Sequence, residues 1–471
     1  MHISDFFCTF AGDFAFFRYK KRSDNIMTIR YTTLGCKLNF AETSSLGKAL
    51  SERGHVRAKA GEQADVCIIN TCSVTDTADQ KDRQAIHRLR RENPNAILIV
   101  TGCYAQLASE RKVKAEALPA STIAFPWQEV DYVLGQNEKY SIPALLDDIG
   151  AQTKPVAATG AEDAQSAEIH TSVMREVEEY HSAYSKDDRT RCFLKVQDGC
   201  NYFCTYCTIP MARGKSRNGS IASIVREAQQ AIADGAKEIV LTGVNIGDFG
   251  RSTGETFMDL LRALDNLSGI NYRIRISSCE PNLLSDEVID FVAGSQHFAP
   301  HFHIPLQSGS DTVLKIMHRH YDTALFRERI EHIKTVMPHA FIGVDCMVGV
   351  RGETDECFEE YVRFVESLDV SQLHVFTYSE RADTRMLEMD LCVVPMRERQ
   401  RRSKVLHEIS ARKTAAFYAA HRGQEFTALW EAKRETGEQG ESLMSGFTEN
   451  YIRVFAPYDK AKVNTFERVT I

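Results

Sequence analysis

Short apolar runs rich in β-branched residues recur along this chain at helix-length intervals. That alternation restricts it to α/β architectures built on parallel strands. Thr28–Leu34, Asp65–Asn70, Ala96–Thr101 and the short Tyr132–Leu134 read as strands, with amphipathic helices such as Ala41–Ser51 and Ala78–Arg91 between them. The pattern predicts a doubly wound parallel sheet over residues 27–148, whose strands end on one ligand-binding rim. The first three strands run out at Cys36, Cys72 and Cys103. Three thiols on one rim make a three-cysteine cluster site. The competing reading is three unrelated core cysteines, as Cys67 inside the second strand is expected to be.

The alternation stops over residues 149–189, a small, polar stretch that reads as a linker. It resumes with Cys192–Gln197, Glu238–Leu241, Tyr272–Ser277, His301–Leu306, Phe341–Val348 and Gln372–Tyr378. Six such units predict a partial TIM-type (β/α)6 barrel over residues 190–420, with its functional rim at the carboxyl ends of the strands. Polar, mostly glycine-containing loops follow the strands there: Thr242–Gly247, Ser278–Pro281, Gln307–Ser310 and Gly349–Glu353. Residues 421–471 alternate like short strands (Glu425–Trp430, Leu443–Phe447, Tyr451–Phe455) and predict a small β-barrel. Residues 1–26 read as an extension without the features of a signal peptide, which makes Met27 a candidate start.

After the first barrel strand comes Cys200-x3-Cys204-x2-Cys207. Three thiolates are one ligand short of a closed zinc or four-iron site, so one metal position stays open to a ligand. A structural zinc knuckle would need a distant fourth ligand, and Cys192 and His181 lie outside the usual spacings. The 13 cysteines among 471 residues form no even disulfide framework and favour a reducing, cytoplasmic setting. A net charge of −7 gives no global basic field for nucleic acid, and no apolar run is long enough to span a bilayer.

Several stretches carry a more specific resemblance: TLGCKLN with Glu42-Thr43, Asn70-Thr71-Cys72, TGCYAQ, LKVQDGCNYFCTYCTIP, Arg213-Gly214-Lys215-Ser216-Arg217, LTGVNIGDFG, RIRISSCEP, HFHIPLQSGSDTVLKIMHR and LHVFTYSER. Together they resemble the radical S-adenosylmethionine (radical SAM) methylthiotransferases from Met27 onward. The opening is most like the MtaB branch, which acts on N6-threonylcarbamoyladenosine at position 37 of tRNA. The sister branches act on isopentenyladenosine of tRNA or on an aspartate of a ribosomal protein. Gly446–Tyr451 looks like the hallmark of the TRAM domain, a small RNA-associated β-barrel.

The resemblance implies two 4Fe-4S clusters. One, on Cys200, Cys204 and Cys207, would bind and cleave S-adenosylmethionine to make a hydrogen-abstracting radical; the other, on Cys36, Cys72 and Cys103, would carry sulfur. Tyr206, Gly243, Asn245, Glu280 and Gln307 are the expected cofactor contacts, and no catalytic residue beyond the cluster ligands is assigned. Expected partners are the tRNA anticodon loop and a reductant protein such as flavodoxin or ferredoxin. The alternative from another class is a non-catalytic RNA-binding iron–sulfur protein. Two basic clusters are candidates for phosphate contact: Arg397, Arg399, Arg401, Arg402 and Lys404, and Lys81, Arg83, Arg88, Arg90 and Arg91. The chain departs from the family pattern at Arg351, at Cys279 and at Ala382-Asp383.

Overall fold

The computed structural model describes residues 26–115, 125–151, 167–185, 190–268 and 271–471. The 1–26 extension therefore lies outside the described residues apart from its last position, as do residues 152–166 and 186–189 of the 149–189 linker.

The first unit is a six-stranded parallel sheet of β1 (Thr28–Thr33), β2 (Val56–Arg57), β3 (Val66–Thr71), β4 (Ile97–Gly102), β5 (Tyr132–Leu134) and β6 (Glu168–His170), in the order β2-β1-β3-β4-β5-β6. Two separate apolar cores cover its faces. Helices α1 (Lys37–Glu52) and α4 (Ile142–Ala151) pack Leu46, Leu50, Ile142 and Leu146 on Ile29 and Ile68. On the other face α2 (Asp76–Glu92) and α3 (Cys103–Ala115) pack Ile86, Leu89, Tyr104 and Ala105 on Cys67 and Ile69. Alternate residues of β3 thus serve opposite cores, which is why it is fully buried and apolar from Val66 to Ile69. The sheet is doubly wound as expected, and its order reverses between β1 and β3, where such sheets bind ligands. Strand β6 comes from the stretch read as linker; its Glu-Ile-His sequence offers one apolar residue, too little for a period to register.

The second unit has six parallel strands: β7 (Cys192–Lys195), β10 (Glu238–Thr242), β11 (Arg273–Ile276), β12 (His301–Gln307), β13 (Phe341–Val348) and β14 (Gln372–Thr377). They form two three-stranded ladders joined by bridges from Ile274 to Phe298 and from Ser278 to His303, a partial barrel open between β7 and β14. The short β8 (Gln197–Asp198) and β9 (Arg217–Asn218) pair beside the cysteine loop. Around the barrel run α5 (Ile209–Arg213), α6 (Ile221–Ala233), α7 (Phe257–Asp265), α8 (Asp286–Gly294), α9 (Asp311–Ile316), α10 (Thr323–Val336), α11 (Asp355–Ser367), α12 (Arg385–Glu388) and α13 (Met396–Ala420). Side chains at β7, β10 and β11 that face these helices join one large core, including Leu194, Leu241 and Ile274. Their neighbours in sequence, Phe193, Lys195, Val240, Arg273 and Arg275, point the other way, into the lumen.

The last unit is a curled antiparallel half-barrel in the order β17 (Arg453–Pro457), β16 (Ser442–Phe447), β15 (Glu425–Thr436), β18 (Phe466–Thr470). A bulge between Trp430 and Arg434 bends β15. The segment after β16 caps the N-terminal end of the partial barrel. Arg273 donates to the carbonyls of Thr427 and Phe447 (both 3.0 Å), and Arg275 donates to those of Glu449 (3.0 Å) and Thr448 (3.3 Å). Both guanidiniums share the buried Glu238, at 2.7 Å from Arg273 and 3.0 Å from Arg275, and Arg191 donates to the Tyr451 hydroxyl at 3.1 Å. The segment Gly446–Tyr451 therefore serves as a dock, with Thr448 and Asn450 fully buried.

Because Arg275 is buried against Glu238, Arg275→Ala should lower stability by about 3–5 kcal/mol, leaving that carboxylate without one of its partners. Arg468→Ala removes a pair with Glu425 that is 75% and 60% exposed and should cost no more than about 1 kcal/mol. Urea unfolding midpoints check both; equal midpoints for the two variants would refute the dock's role.

Candidate active site

Each thiol of the first triad is delivered by a strand end. Cys36 is the N-cap of α1, Cys72 follows β3, and Cys103 opens α3 directly after β4. Gly35 lies at φ +96°, and a Cβ there would sit 2.5 Å from the Cys72 Cβ and 2.7 Å from its sulfur, so the two loops touch only because that position is glycine. Asn39 staples the same loops by donating to the carbonyls of Leu34 (2.8 Å) and Thr71 (2.9 Å). Gln136 donates to the Cys103 sulfur at 3.0 Å, and the Cys72 amide donates to Asp82 at 3.1 Å. Burial drives the Cys72 thiol well above the ordinary range, with repulsion from Cys103 and Cys36 adding to it, and burial raises Cys103 against the pull of Arg213. Two buried thiols, Cys72 and Cys103, beside the exposed Cys36 suit a bound metal cluster, whose iron supplies the counter-charge that buried thiolates lack.

The second triad sits in the loop after β8. Each sulfur meets an N–H donor: Tyr202 N–H to Cys200 (3.4 Å), Arg319 to Cys204 (3.1 Å) and Ile209 N–H to Cys207 (3.4 Å). Burial pushes Cys200 up to about 12 and raises Cys204 and Cys207 as well, so this donor set fits a cluster by the same argument. Cys192 is not among these groups; it lies in the core behind β7. Cys67 is buried as expected, its thiol pushed up to about 11 by desolvation.

The expected cofactor contacts ring this loop. Both amide atoms of the buried Asn245 lack a hydrogen-bond partner among the described residues, the nearby Tyr202 hydroxyl being engaged by Asn282 at 2.7 Å. Gln307, held at φ +64°, leaves its buried Oε1 unsatisfied too. Buried amides without partners mark a place for a polar ligand. Gly243 leaves room over Gln197, whose Oε1 would lie 2.9 Å from an added Cβ. Glu280 is already ion-paired with Arg319, which also donates to the Tyr206 hydroxyl at 3.3 Å. Tyr206 packs on an apolar cluster with Val313, Met317 and Tyr378.

What sequence reasoning left without a role is the contact between the two units. Helix α1 enters the open side of the partial barrel, with Ala41 packed on Phe193 and Val240. Its Glu42, fully buried, accepts from Lys139 (2.6 Å), Lys195 (3.0 Å) and Arg213 (3.0 Å). Asp198 completes the cluster through Lys195 (2.7 Å), Arg213 (3.0 Å) and Arg217 (3.3 Å), and Arg213 also donates to Asn39 at 2.6 Å. Beyond it the thiol loops meet. Thr208, next to Cys207, donates its hydroxyl to the carbonyl of Ser73, next to Cys72, at 3.2 Å. Cys103 and Leu107 pack on Ala212, and Arg381 clamps Ser73 and Asp79, both at 2.7 Å. The two triads face each other across one interface. Glu42, Asn39 and Arg213 all stood in the quoted motifs; only their convergence was hidden.

The departures are absorbed locally. Arg351 pairs with Glu380 at 3.0 Å, Asp383 pairs with Arg111 of α3 at 2.8 Å, and Cys279 is buried. The α13 basic cluster changes meaning: Arg399 is buried, donating to the Val394 carbonyl (2.8 Å), and Arg402 is buried on Glu353 (2.9 Å), so only Arg397, Arg401 and Lys404 remain exposed. In the α2 cluster Arg90 is committed to Asp131 at 2.6 Å, while Lys81, Arg88 and Arg91 are exposed.

Residues 194–365 match the radical SAM superfamily, and residues 28–123 match the uncharacterized protein family UPF0004. The threonylcarbamoyladenosine tRNA methylthiotransferase MtaB of Bacillus subtilis (strain 168) is 37% identical, over 91% of this chain and 90% of its own. The chain belongs to the radical SAM methylthiotransferase family. The MtaB of Aquifex aeolicus (strain VF5) is 33% identical over 91% of this chain and 96% of its own, and a tRNA-2-methylthio-N(6)-dimethylallyladenosine synthase of Clostridium botulinum (strain Hall) is 31% identical over 82% of each. Among solved structures, the radical S-adenosylmethionine methyltransferase TsrM of Kitasatospora setae shares the fold, with TM-score 0.51 and 14% identity over 74% of this chain and 72% of that one. As a member of this family the chain is a radical SAM enzyme, a class that uses a 4Fe-4S cluster and S-adenosylmethionine.

The Glu42 carboxyl is held well below its ordinary 4.5: burial would raise it, but Arg213, Lys139 and Lys195 outweigh burial. Glu42→Gln should therefore destabilise the junction by about 3–5 kcal/mol at neutral pH. A depressed carboxyl contributes fully above its unfolded value and loses that contribution as pH falls through the folded one. The deficit of the variant should accordingly shrink below about pH 4.5. Hydrogen exchange of α1 and the α5 loop across pH reads this; a deficit that grows on acidification would contradict it.

Proposed function

We propose that this chain inserts a methylthio group at C2 of N6-threonylcarbamoyladenosine at position 37 of tRNA. Carrying this reading is the juxtaposition of two three-thiol loops, tied by the Thr208–Ser73 hydrogen bond: sulfur insertion needs a sulfur source beside the site of hydrogen abstraction. Relatives named for that substrate, at 37% and 33% identity over most of the chain, support the choice of nucleoside. When bound, a 4Fe-4S cluster with S-adenosylmethionine on Cys200, Cys204 and Cys207 supplies hydrogen abstraction, and a second 4Fe-4S cluster on Cys36, Cys72 and Cys103 supplies sulfur.

The chain's own residues do the positioning. Asn245, Gly243 and Gln307 present unsatisfied amides and space for the polar edges of the cofactor; Arg319 fixes Glu280 and Tyr206 at its flank. Buried side chains around both loops keep water from the reacting atoms. The anticodon loop supplies the target, because single-stranded RNA exposes base edges and faces. Exposed Lys81, Arg88 and Arg91 of α2 are available for its backbone, and the C-terminal half-barrel acts as a TRAM-like module. A flavodoxin or ferredoxin delivers the electron, in the cytoplasm; among the described residues no helix is long and apolar enough to cross a membrane.

Anaerobically reconstituted protein should hold about eight iron atoms, and replacing Cys200, Cys204 and Cys207 by alanine should leave about four. Cys72→Ala should abolish sulfur insertion while cleavage of S-adenosylmethionine persists. Mass spectrometry of tRNA nucleosides from cells without the gene should show the unthiolated threonylcarbamoyl nucleoside accumulating. Loss of the methylthio-isopentenyl nucleoside instead would move the enzyme to the dimethylallyl relatives' substrate.

A further inference from the structure

Inside the barrel, away from both thiol loops, the last three strands bring three titratable side chains together. Asp345 and His374 are register partners on β13 and β14. His303 Nε2 lies 2.7 Å from Asp345 Oδ1, and His374 Nδ1 lies 3.3 Å from that oxygen and 3.4 Å from His303 Nε2. Their sequence neighbours Ile304, Val344 and Leu373 belong to the outer core, so this trio faces the lumen. Each is only partly buried, so the group borders open space. The two imidazoles hold the Asp345 carboxyl below the usual range although burial opposes it. One carboxylate serves two imidazoles through His303 Nε2 and His374 Nδ1, and His374 Nε2 takes no part in the trio, which leaves it to a ligand.

Two further observations say what that donor meets. Gly343, on the same face of β13, lies beside it: an added Cβ would approach His374 Cε1 to 3.2 Å and Nε2 to 3.7 Å, so glycine leaves a notch at that edge. Two residues along β14, on the same face, Phe376 is 47% exposed, an aromatic ring bare inside an active-site barrel. Its register partner Met347 packs on the same apolar cluster as Tyr206 of the Cys200–Cys207 loop, so the Phe376 end of β14 is the end nearer the chemistry. Exposed aromatics are the usual stacking platform for an unstacked base.

We propose that the lumen face of β14 reads the modified nucleoside: Phe376 stacks on the adenine, and His374, steadied by Asp345 and His303, binds the carboxylate of its threonyl substituent. This rests on the threonylcarbamoyl reading above and deepens it. Residues two apart on a strand are about 7 Å apart, a span that a carbamoyl-linked amino acid bridges from the ring to its carboxylate. An isopentenyl group carries no charge and gives this donor nothing to bind, so the same pair discriminates between the two substrate types.

The test uses the reconstituted holoenzyme and an anticodon stem-loop RNA carrying N6-threonylcarbamoyladenosine, beside the same RNA with the threonyl carboxylate as its methyl ester. Wild-type enzyme should show a KM for the ester higher by about 10-fold or more, the size of one lost hydrogen bond to a charged group. His374→Leu should erase the difference between acid and ester by raising the KM of the acid, and His374→Gln, which keeps a donor on an amide, should fall between. Phe376→Ala should raise the KM of both RNAs and preserve their ratio. Iron content of each variant serves as the control for folding. A His374→Leu enzyme that still separates acid from ester would overturn the proposal. So would stoichiometric zinc in the wild type that this variant loses, since the trio would then be a metal site. Wild-type enzyme inactive on both RNAs overturns the substrate reading and this one with it.

Discussion

Everything at the chemical end of this molecule depends on one buried carboxylate. Glu42 sits on the helix that Cys36 caps, and it is gripped by Lys139 of its own domain and by Lys195 and Arg213 of the barrel. Burying so many charges is costly, and an apolar junction would hold two domains together as well or better. What ionic pairing adds here is direction: only one placement of α1 satisfies Glu42, Asn39 and Asp198 together through Arg213. That placement sets the two thiol loops within a residue of each other. The cluster also carries surplus positive charge, and the Arg213 field reaches Cys36 and Cys103.

The barrel uses its ends differently. At the carboxyl ends of the strands lie the unpaired amides of Asn245 and Gln307 and both cysteine loops, as the architecture favours. At the opposite end Glu238, Arg273 and Arg275 hold the backbone of residues 447–449 from the C-terminal half-barrel. A segment resembling an RNA-binding hallmark thus spends its backbone carbonyls on docking. Between the ends, α1 fills one flank of the lumen and β14 leaves the other lined by His374 and Phe376.

The local departures from the family pattern show how tolerant the rim loops are where only surface pairing is at stake. Arg351 finds Glu380, and Asp383 finds Arg111 across the domain junction. Neither touches a thiol. Such exposed or half-exposed pairs contribute little individually, and they leave the cluster loops to the deeper constraints of Gly35, Asn39 and Arg381.

Strand identity was legible because it is a local property: β-branched runs such as VCIINT and the turns after them are written in neighbouring residues. The position of each cysteine at a strand end followed from the same runs, and parallel topology then predicted convergence of residues tens of positions apart. Strand β6 and the closing strand β18 escaped because short, polar segments have no period; their partners, β5 and β15, decide that they are strands. The basic helix α13 misled because charge in a sequence does not say which arginines face inward, and Arg399 and Arg402 do. Most of all, the roles of Glu42, Arg381, His303, Asp345 and His374 depend on partners on other strands and domains. Sequence by itself determined which groups exist and that six thiols lie at strand ends; tertiary structure decided which charges meet, because pairing across 150 to 300 residues is set by how helices and sheets pack and not by anything adjacent in the chain.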